Sequence, residues 1–240
     1  VPDPVLECLD VQKNYGGLRP LRLKALTVPR GASIALSGLD AGAAEIFVNL
    51  VTGASLPDQG TIRVFGQLTS EIDDSDAWLA ALDRFGILSD RAVLLDELTV
   101  AQNLAMTFTL AIDPIDAATR ARVRALAEGA GLDAAALDGG TSSLDDLGRA
   151  RVRLARATAL DPALLVAEHP SASLPTAAVP AFAEDLRRVI AERELTAVIV
   201  TADTTFASRV ARDVFGVRPV DGTLVKASTG FLARLMGRQP

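Results

Sequence analysis

Apolar and polar positions alternate or recur along the chain in a way that predicts its elements. Residues 5–11 alternate with period two, as a half-buried strand does. After a turn at 28–31 the apolar run 32–37, closed by Gly38, predicts a buried strand. Between Ala43 and Thr52, the residues Ile46, Phe47, Leu50 and Val51 recur at helical spacing, and Gly53 supplies the stop. A turn at 57–60 precedes a strand at 61–65. The acidic stretch 71–76 opens a helix through Trp78 and Leu82, with residues 73–75 as candidate caps, because carboxylates favour the positive end of a helix. Helical spacing then fills 99–110, 116–130 and 145–160.

The second half alternates element types. An apolar strand at 163–167 ends in Glu168-His169-Pro170, a helix at 176–194 leads into a strand at 196–201, and a helix at 203–212 leads into a strand at 214–217. Asp221-Gly222 then makes a hairpin turn before the strand 223–226. Strands that are mostly apolar throughout and alternate with helices predict an α/β fold with a mainly parallel sheet covered on both faces. The stretch from about 70 to 160 carries helices and few strands, so it reads as a helical insertion into that core.

Composition narrows the partners. With 49% hydrophobic and 22% charged residues among 240, the chain has ample sequence for a buried core. A net charge of -6 is a poor electrostatic match for polyphosphate backbones, so nucleic acid is not an expected partner. Cys8 is alone, which excludes an internal disulfide and a cysteine-rich metal site and makes a reducing, cytosolic compartment the expectation. Neither an export signal at the start nor an apolar stretch of about 18 residues is read in the sequence. Lysine is scarce, with Lys13, Lys24 and Lys226 alone, and His169 is the one histidine. Phosphate and acid/base chemistry therefore have few candidate side chains.

A strand, a small-residue loop after Gly38, a helix and a later apolar strand ending in an acid form the layout of a P-loop NTPase. In register, the chain resembles the nucleotide-binding subunits of ATP-binding cassette (ABC) transporters over nearly its whole length. Residues 36–53 correspond to the family's phosphate loop and first helix, 56–66 to the segment after it, and 98–104 to the start of the helical subdomain. The stretch 144–162, with Arg-Leu-Ala-Arg-Ala at 153–157, corresponds to the signature helix, and 164–174 to the Walker B strand and its turn. The resemblance implies one domain over 1–240. Its RecA-like core, which carries an antiparallel β subdomain, is drawn from 1–70 and 160–240, and its helical subdomain from about 70–160.

The departures fall on the chemistry. The family's phosphate loop uses backbone amides, a lysine and a magnesium-binding hydroxyl. Here those two side-chain positions are Ala44 and Glu45, followed by Ile46, and Ala43 replaces a loop glycine. Glu45 is expected to cap its own anion site and repel a triphosphate. The magnesium-sensing glutamine falls near Asp90, and the signature reads Leu144-Asp-Asp-Leu147, putting Asp145 and Asp146 where a partner's γ-phosphate would sit. At Walker B, Glu168 holds the metal-ordering position and His169 that of the general base, while Pro175 and Ala202 replace the dimer-loop aspartate and the switch histidine.

The resemblance places Tyr15, Gly38, Asp40 and Gly42 around any nucleotide, with Tyr15 either stacked on adenine or packed on its own Gly-Gly turn. Glu45 and Glu168 form either a direct cation site or a pair neutralised by a proton or by arginine partners. His169 is expected to be simply hydrogen-bonded, and the arginines at 149, 151, 153 and 156 to be solvated rather than an RNA or phosphate site. No catalytic residue and no resident metal are expected, and ATP with Mg²⁺ is expected to bind weakly or not at all. The implied protein is a pseudo-ATPase, a structural or regulatory subunit peripheral on the cytoplasmic face of the membrane. Its expected partners are a transmembrane permease, docked around 88–104, and a second nucleotide-binding subunit, identical or different. The alternatives are a divergent working ATPase that holds ATP through Tyr15, or a cytosolic interaction protein that reuses the fold.

Overall fold

Strands in this chain segregate by how many of their faces are buried. A computed structural model describes residues 3–72 and 74–227. In chain order its strands are β1 Pro4–Lys13, β2 Leu21–Pro29, β3 Ser33–Ser37, β4 Gln59–Val64, β5 Gln67–Leu68, β6 Phe85–Ser89, β7 Leu164–Glu168, β8 Ala197–Val200, β9 Asp213–Val217 and β10 Leu224–Lys226. Its α-helices are α1 Ala41–Val51, α2 Ser75–Leu82, α3 Val100–Ala105, α4 Ala117–Gly129, α5 Asp146–Ala157, α6 Val179–Glu192 and α7 Thr204–Val210. The amphipathic strands form an antiparallel sheet in the order β2-β1-β4-β5, and the apolar runs form a six-stranded sheet in the order β10-β9-β3-β8-β7-β6. All neighbours in the second sheet are parallel except β10, which returns antiparallel beside β9 through the turn at Asp221-Gly222.

Side-chain alternation divides the interior in two. On β7 and β8, Leu164, Val166, Val198 and Val200 face α1 and the antiparallel sheet, while Leu165, Ala167, Ala197 and Ile199 face the core under α5, α6 and α7. Helix α1 is thus held between two sheets, with Ala43, Ala44, Phe47, Val48, Leu50 and Val51 buried. Burying one such large apolar side chain contributes about 1.5–3 kcal/mol, so the helix that follows the 38–40 loop is fixed by its apolar stripe. Trp78 of α2 closes its far end, donating Nε1–H to the Thr52 carbonyl at 3.0 Å.

Several expectations are corrected. The strand β6 lies inside the stretch read as helical from about 70 to 160, yet it pairs parallel with β7 and belongs to the central sheet. Its glycine explains why: a Cβ at Gly86 would collide with the Ala157 carbonyl oxygen, so β6 and the end of α5 pack backbone to backbone. The helix expected at 99–110 starts at the capping box of Thr99 and Gln102 but ends at Ala105, where Met106 is the C-cap and turns follow. The strands β2 and β5 were not read at all. Asp74 is the N-cap of α2, accepting from the Asp76 amide at 3.1 Å. Asp73, with Val1, Pro2 and residues 228–240 of the single-domain span, lies outside the described residues.

Cys8 on β1 is buried, and burial pushes its thiol up from 9.0 to about 12. The unfolded chain releases this proton near pH 9 and the folded chain retains it, so stability is fully present below pH 9 and falls as pH rises towards 12. Urea unfolding of the wild type should weaken between pH 8 and pH 11 by on the order of a few kcal/mol, and Cys8→Ala should flatten that slope.

Candidate functional site

The carboxyl ends of β3, β7 and β8 converge on one edge of the central sheet, the edge where open α/β sheets hold ligands. There β3 gives way to Gly38, whose φ of +91° and 2.9 Å approach of a virtual Cβ to the Val217 carbonyl oxygen admit glycine. Asp40 then caps α1, its Oδ1 accepting from the Ala43 amide at 2.8 Å. Free amides at a helix start attract anions, and here a carboxylate of the chain itself already accepts one of them. Tyr15 leans over the same loop, with Cε2 3.1 Å from where a Gly42 Cβ would stand and its hydroxyl 3.5 Å from Asp40 Oδ1. Burial, then the charge and hydrogen bond of Asp40, raise the Tyr15 pKa, so the phenol stays a donor at neutral pH. Tyr15 therefore packs on the loop and on its own turn, where a Cβ at Gly17 would stand 2.6 Å from its ring.

The second half of the site is an ion-pair chain. Arg91, in the turn after β6, donates Nη1 to Glu45 Oε1 at 2.6 Å and Nη2 to Glu168 Oε2 at 2.6 Å. The Glu168 side chain is 8% exposed against 46% for Arg91 and 47% for Glu45. Exposed pairs such as Arg91–Glu45 are worth about 0–1 kcal/mol; removing the partner of a buried carboxylate costs more. The expectation that Glu45 caps the loop is thus corrected. Glu45 lies beyond the first turn of α1, bound to Arg91, and the capping carboxylate is Asp40. Glu45 and Glu168 both have Arg91 as a partner. Ala44, at the lysine position, is buried between the sheets.

His169 follows Glu168 in a left-handed conformation, φ +42°, and its amide donates to the Val200 carbonyl at 2.7 Å. Its Nε2 is buried with no hydrogen-bond partner, so the expectation of a simply bonded imidazole is corrected. The residue stands between two clefts, one of about 380 Å³ shared with Asp40, Asp90, Arg91 and Ala202, the other of about 500 Å³ shared with Thr176, Asp203 and Arg209.

The signature-helix positions cap and edge their own helix. Asp145 caps α5 through the Gly148 amide at 2.7 Å, while Asp146 stays exposed in the first turn. The four arginines of α5 are not simply solvated, which corrects that expectation. Arg149 donates to the Leu144 carbonyl at 3.2 Å and Arg151 pairs with Asp185 at 2.8 Å. Arg153 reaches the Ala92 carbonyl at 3.2 Å and Asp90 at 3.4 Å, and Arg156 the Val93 carbonyl at 2.7 Å. The loop that carries Arg91 is therefore held from both sides. Arg91 was missed in the sequence; two acids at adjoining metal positions in a lysine-poor chain were the signal that a cation had to come from elsewhere.

No family model matches the chain. The lipoprotein-releasing system ATP-binding protein LolD of Geobacter metallireducens is 31% identical over 226 residues, covering 92% of this chain and 98% of that protein. The methionine import ATP-binding protein MetN of Brucella abortus is 28% identical over 214 residues, 87% of this chain; the matched region spans 56% of MetN's length. Among solved structures, the dimeric bacterial ABC transporter cassette MJ0796 has a TM-score of 0.75 at 20% identity, covering 92% of this chain and 98% of that one. The structure of cbiO1 from Clostridium perfringens, part of the ABC transporter complex cbiONQ, has a TM-score of 0.78 at 20% identity, covering 98% of this chain and 94% of that one. At such identity the structures establish the shared fold.

The ion-pair chain makes its own prediction. Arg91→Met should lower stability in urea by roughly 1–3 kcal/mol, the cost of leaving a buried carboxylate unpaired. Adding Glu168→Gln should recover at least half of that loss, whereas Glu45→Gln alone should cost under about 1 kcal/mol.

Proposed function

The chain belongs to the ATP-binding cassette ATPase family, and from that premise we propose that it is a non-hydrolysing subunit of an ABC transporter, a structural or regulatory partner of a membrane permease. The observation that carries this reading is the guanidinium of Arg91 between Glu45 and Glu168, the two positions at which the family orders Mg²⁺. The residues do not fit a magnesium triphosphate. A carboxylate caps the loop amides, the lysine position is a buried alanine, and the metal-ordering pair already has its counter-ion. Loss of a general base typically costs ~10²–10⁴-fold, and electrostatic stabilisation by lysine and metal is gone as well. His169 has an unpartnered ring nitrogen, but the phosphate-loop lysine and magnesium-hydroxyl positions beside it are Ala44 and Glu45.

Permease docking is supported by apolar side chains left exposed around α3 and the loop before it, namely Val93, Leu95, Met106 and Leu110. Asn103 stiffens that surface from within, accepting from the Leu95 amide at 2.9 Å and donating to the Leu95 and Thr99 carbonyls at 3.0 Å. Among the described residues no helix is long and apolar enough to cross a membrane, so on this reading the subunit sits on the cytoplasmic face beside its permease and a second nucleotide-binding subunit. The LolD and MetN relatives act in lipoprotein release and methionine import by name; the cargo of this system is set by its permease.

Phosphate release from ATP with Mg²⁺ should stay at background for the purified chain, and calorimetry at millimolar nucleotide should give no saturable heat that Tyr15→Ala removes. Asp40→Ala, which uncaps the loop amides at a cost of about 1 kcal/mol in stability, should raise nucleotide affinity if the carboxylate is the competitor. Turnover abolished by Glu168→Gln or His169→Ala would overturn the non-hydrolysing reading. Tight ATP binding lost in Tyr15→Ala would favour the divergent ATPase, and purification without any membrane partner would favour a cytosolic interaction protein.

A further inference from the structure

The opposite edge of the central sheet carries a second charged cleft. The strand β3 is five residues long, so its amino end lies about 13 Å from the 38–40 loop. A cleft of about 580 Å³ opens there between the start of β3 and the last turns of α6 and α7. Arg30, Arg187, Arg209 and Arg212 line it, with Glu194 on the same rim. Arg187 is held in a bidentate pair by Glu184. The other three differ from most arginines of this acidic chain, which hold a carboxylate, a carbonyl or an aromatic ring. Among the described residues, the side chains of Arg30, Arg209 and Arg212 hold none of these, and Glu194 pairs with none of them within 4 Å.

The frame beneath these side chains is fixed. The Arg212 amide donates to the Ser33 carbonyl at 3.0 Å and to Ser33 Oγ at 3.2 Å, which ties the end of α7 to the head of β3. The Gly31 amide, next to Arg30, donates to Thr196 Oγ1 at 2.9 Å. Ile190, Leu195 and Val210 close the floor and are buried. Three exposed guanidinium groups on two separate segments, the turn before β3 and the end of α7, none with a partner among the described residues, suit a compact multivalent anion, and arginine is the side chain that matches phosphate oxygens in a planar fork. The single acid on the rim limits the charge the cleft tolerates.

We infer that the cleft framed by Arg30, Arg209 and Arg212 is a binding site for a phosphate-bearing ligand, separate from the 38–46 loop and independent of nucleotide. Titration of the full chain with pyrophosphate at low ionic strength should give a saturable heat. The double substitution Arg209→Ala, Arg212→Ala should weaken it at least roughly tenfold, as the loss of charge-assisted bonds requires. Arg30→Gln, on a different segment, should weaken it several-fold, so that a local disturbance of α7 cannot imitate the result. Glu194→Gln should tighten binding. Vesicles of phosphatidylcholine with and without phosphatidic acid separate the sources. Co-sedimentation with the anionic vesicles that is lost in the arginine variants assigns the phosphate to a lipid headgroup, and pyrophosphate binding without vesicle binding assigns it to a soluble ligand. Neither pyrophosphate heat nor vesicle binding, or binding that the arginine substitutions leave unchanged, overturns the inference.

Discussion

Two acids brought to one edge of a parallel sheet need a counter-charge, and Arg91 is the residue on which the arrangement of this edge depends. Glu168 is placed by β7, whose five residues are all buried, so its carboxylate cannot move out to water without disturbing the sheet. Glu45 is placed by α1, whose apolar stripe is clamped between the two sheets. With Glu168 buried and Glu45 carried on a clamped helix, the nearby guanidinium pairs with both and becomes a cross-link between α1, β6 and β7. A buried charge is tolerated when it is paired and hydrogen-bonded, and this one is.

The same logic separates the frame of the fold from the residues at its phosphate-loop edge. Residues that hold the frame and residues that would hold phosphate occupy alternate positions or opposite ends of the same elements. On β7 the run 164–167 feeds both cores, and Glu168 alone projects at the edge. On α1 the apolar residues pack against two sheets while the amino end faces solvent with Asp40. Changing the edge residues leaves the area buried on folding almost untouched, so the stability of the core does not require a working phosphate loop. Capping carboxylates then become favourable, because a helix start without an anion has unpaired amides that Asp40 and Asp145 satisfy locally.

The sequence made the central sheet legible because buried parallel strands are short apolar runs, and 163–167 and 196–201 have no other good reading. It made the phosphate-loop position legible through Gly38 and the helix that follows. The strand β2 escaped because its alternation slips by one residue at Ala25, so that Leu21 and Leu23 are buried in one phase and Leu26 and Val28 in the other. The strand β6 escaped because Phe85, Gly86 and Ile87 lie within a helical stretch, and its register is set by β7, which is distant in sequence. Arg91 was hidden for the same reason, since it lies 77 residues from Glu168. Pairings between distant side chains leave no period in the sequence, and only the need for a counter-charge pointed to one.

The loop at Ser89 to Val93 connects these two observations. Arg91 fastens it to the sheet edge through carboxylates, and Arg153 and Arg156 fasten it to α5 through the carbonyls of Ala92 and Val93. Each exposed contact is individually worth little and is screened by salt. Their effect comes from geometry, because the same five-residue loop carries bonds to the core on one side and to a helix of the inserted segment on the other. The relation between these two parts is therefore supported by charges within the chain.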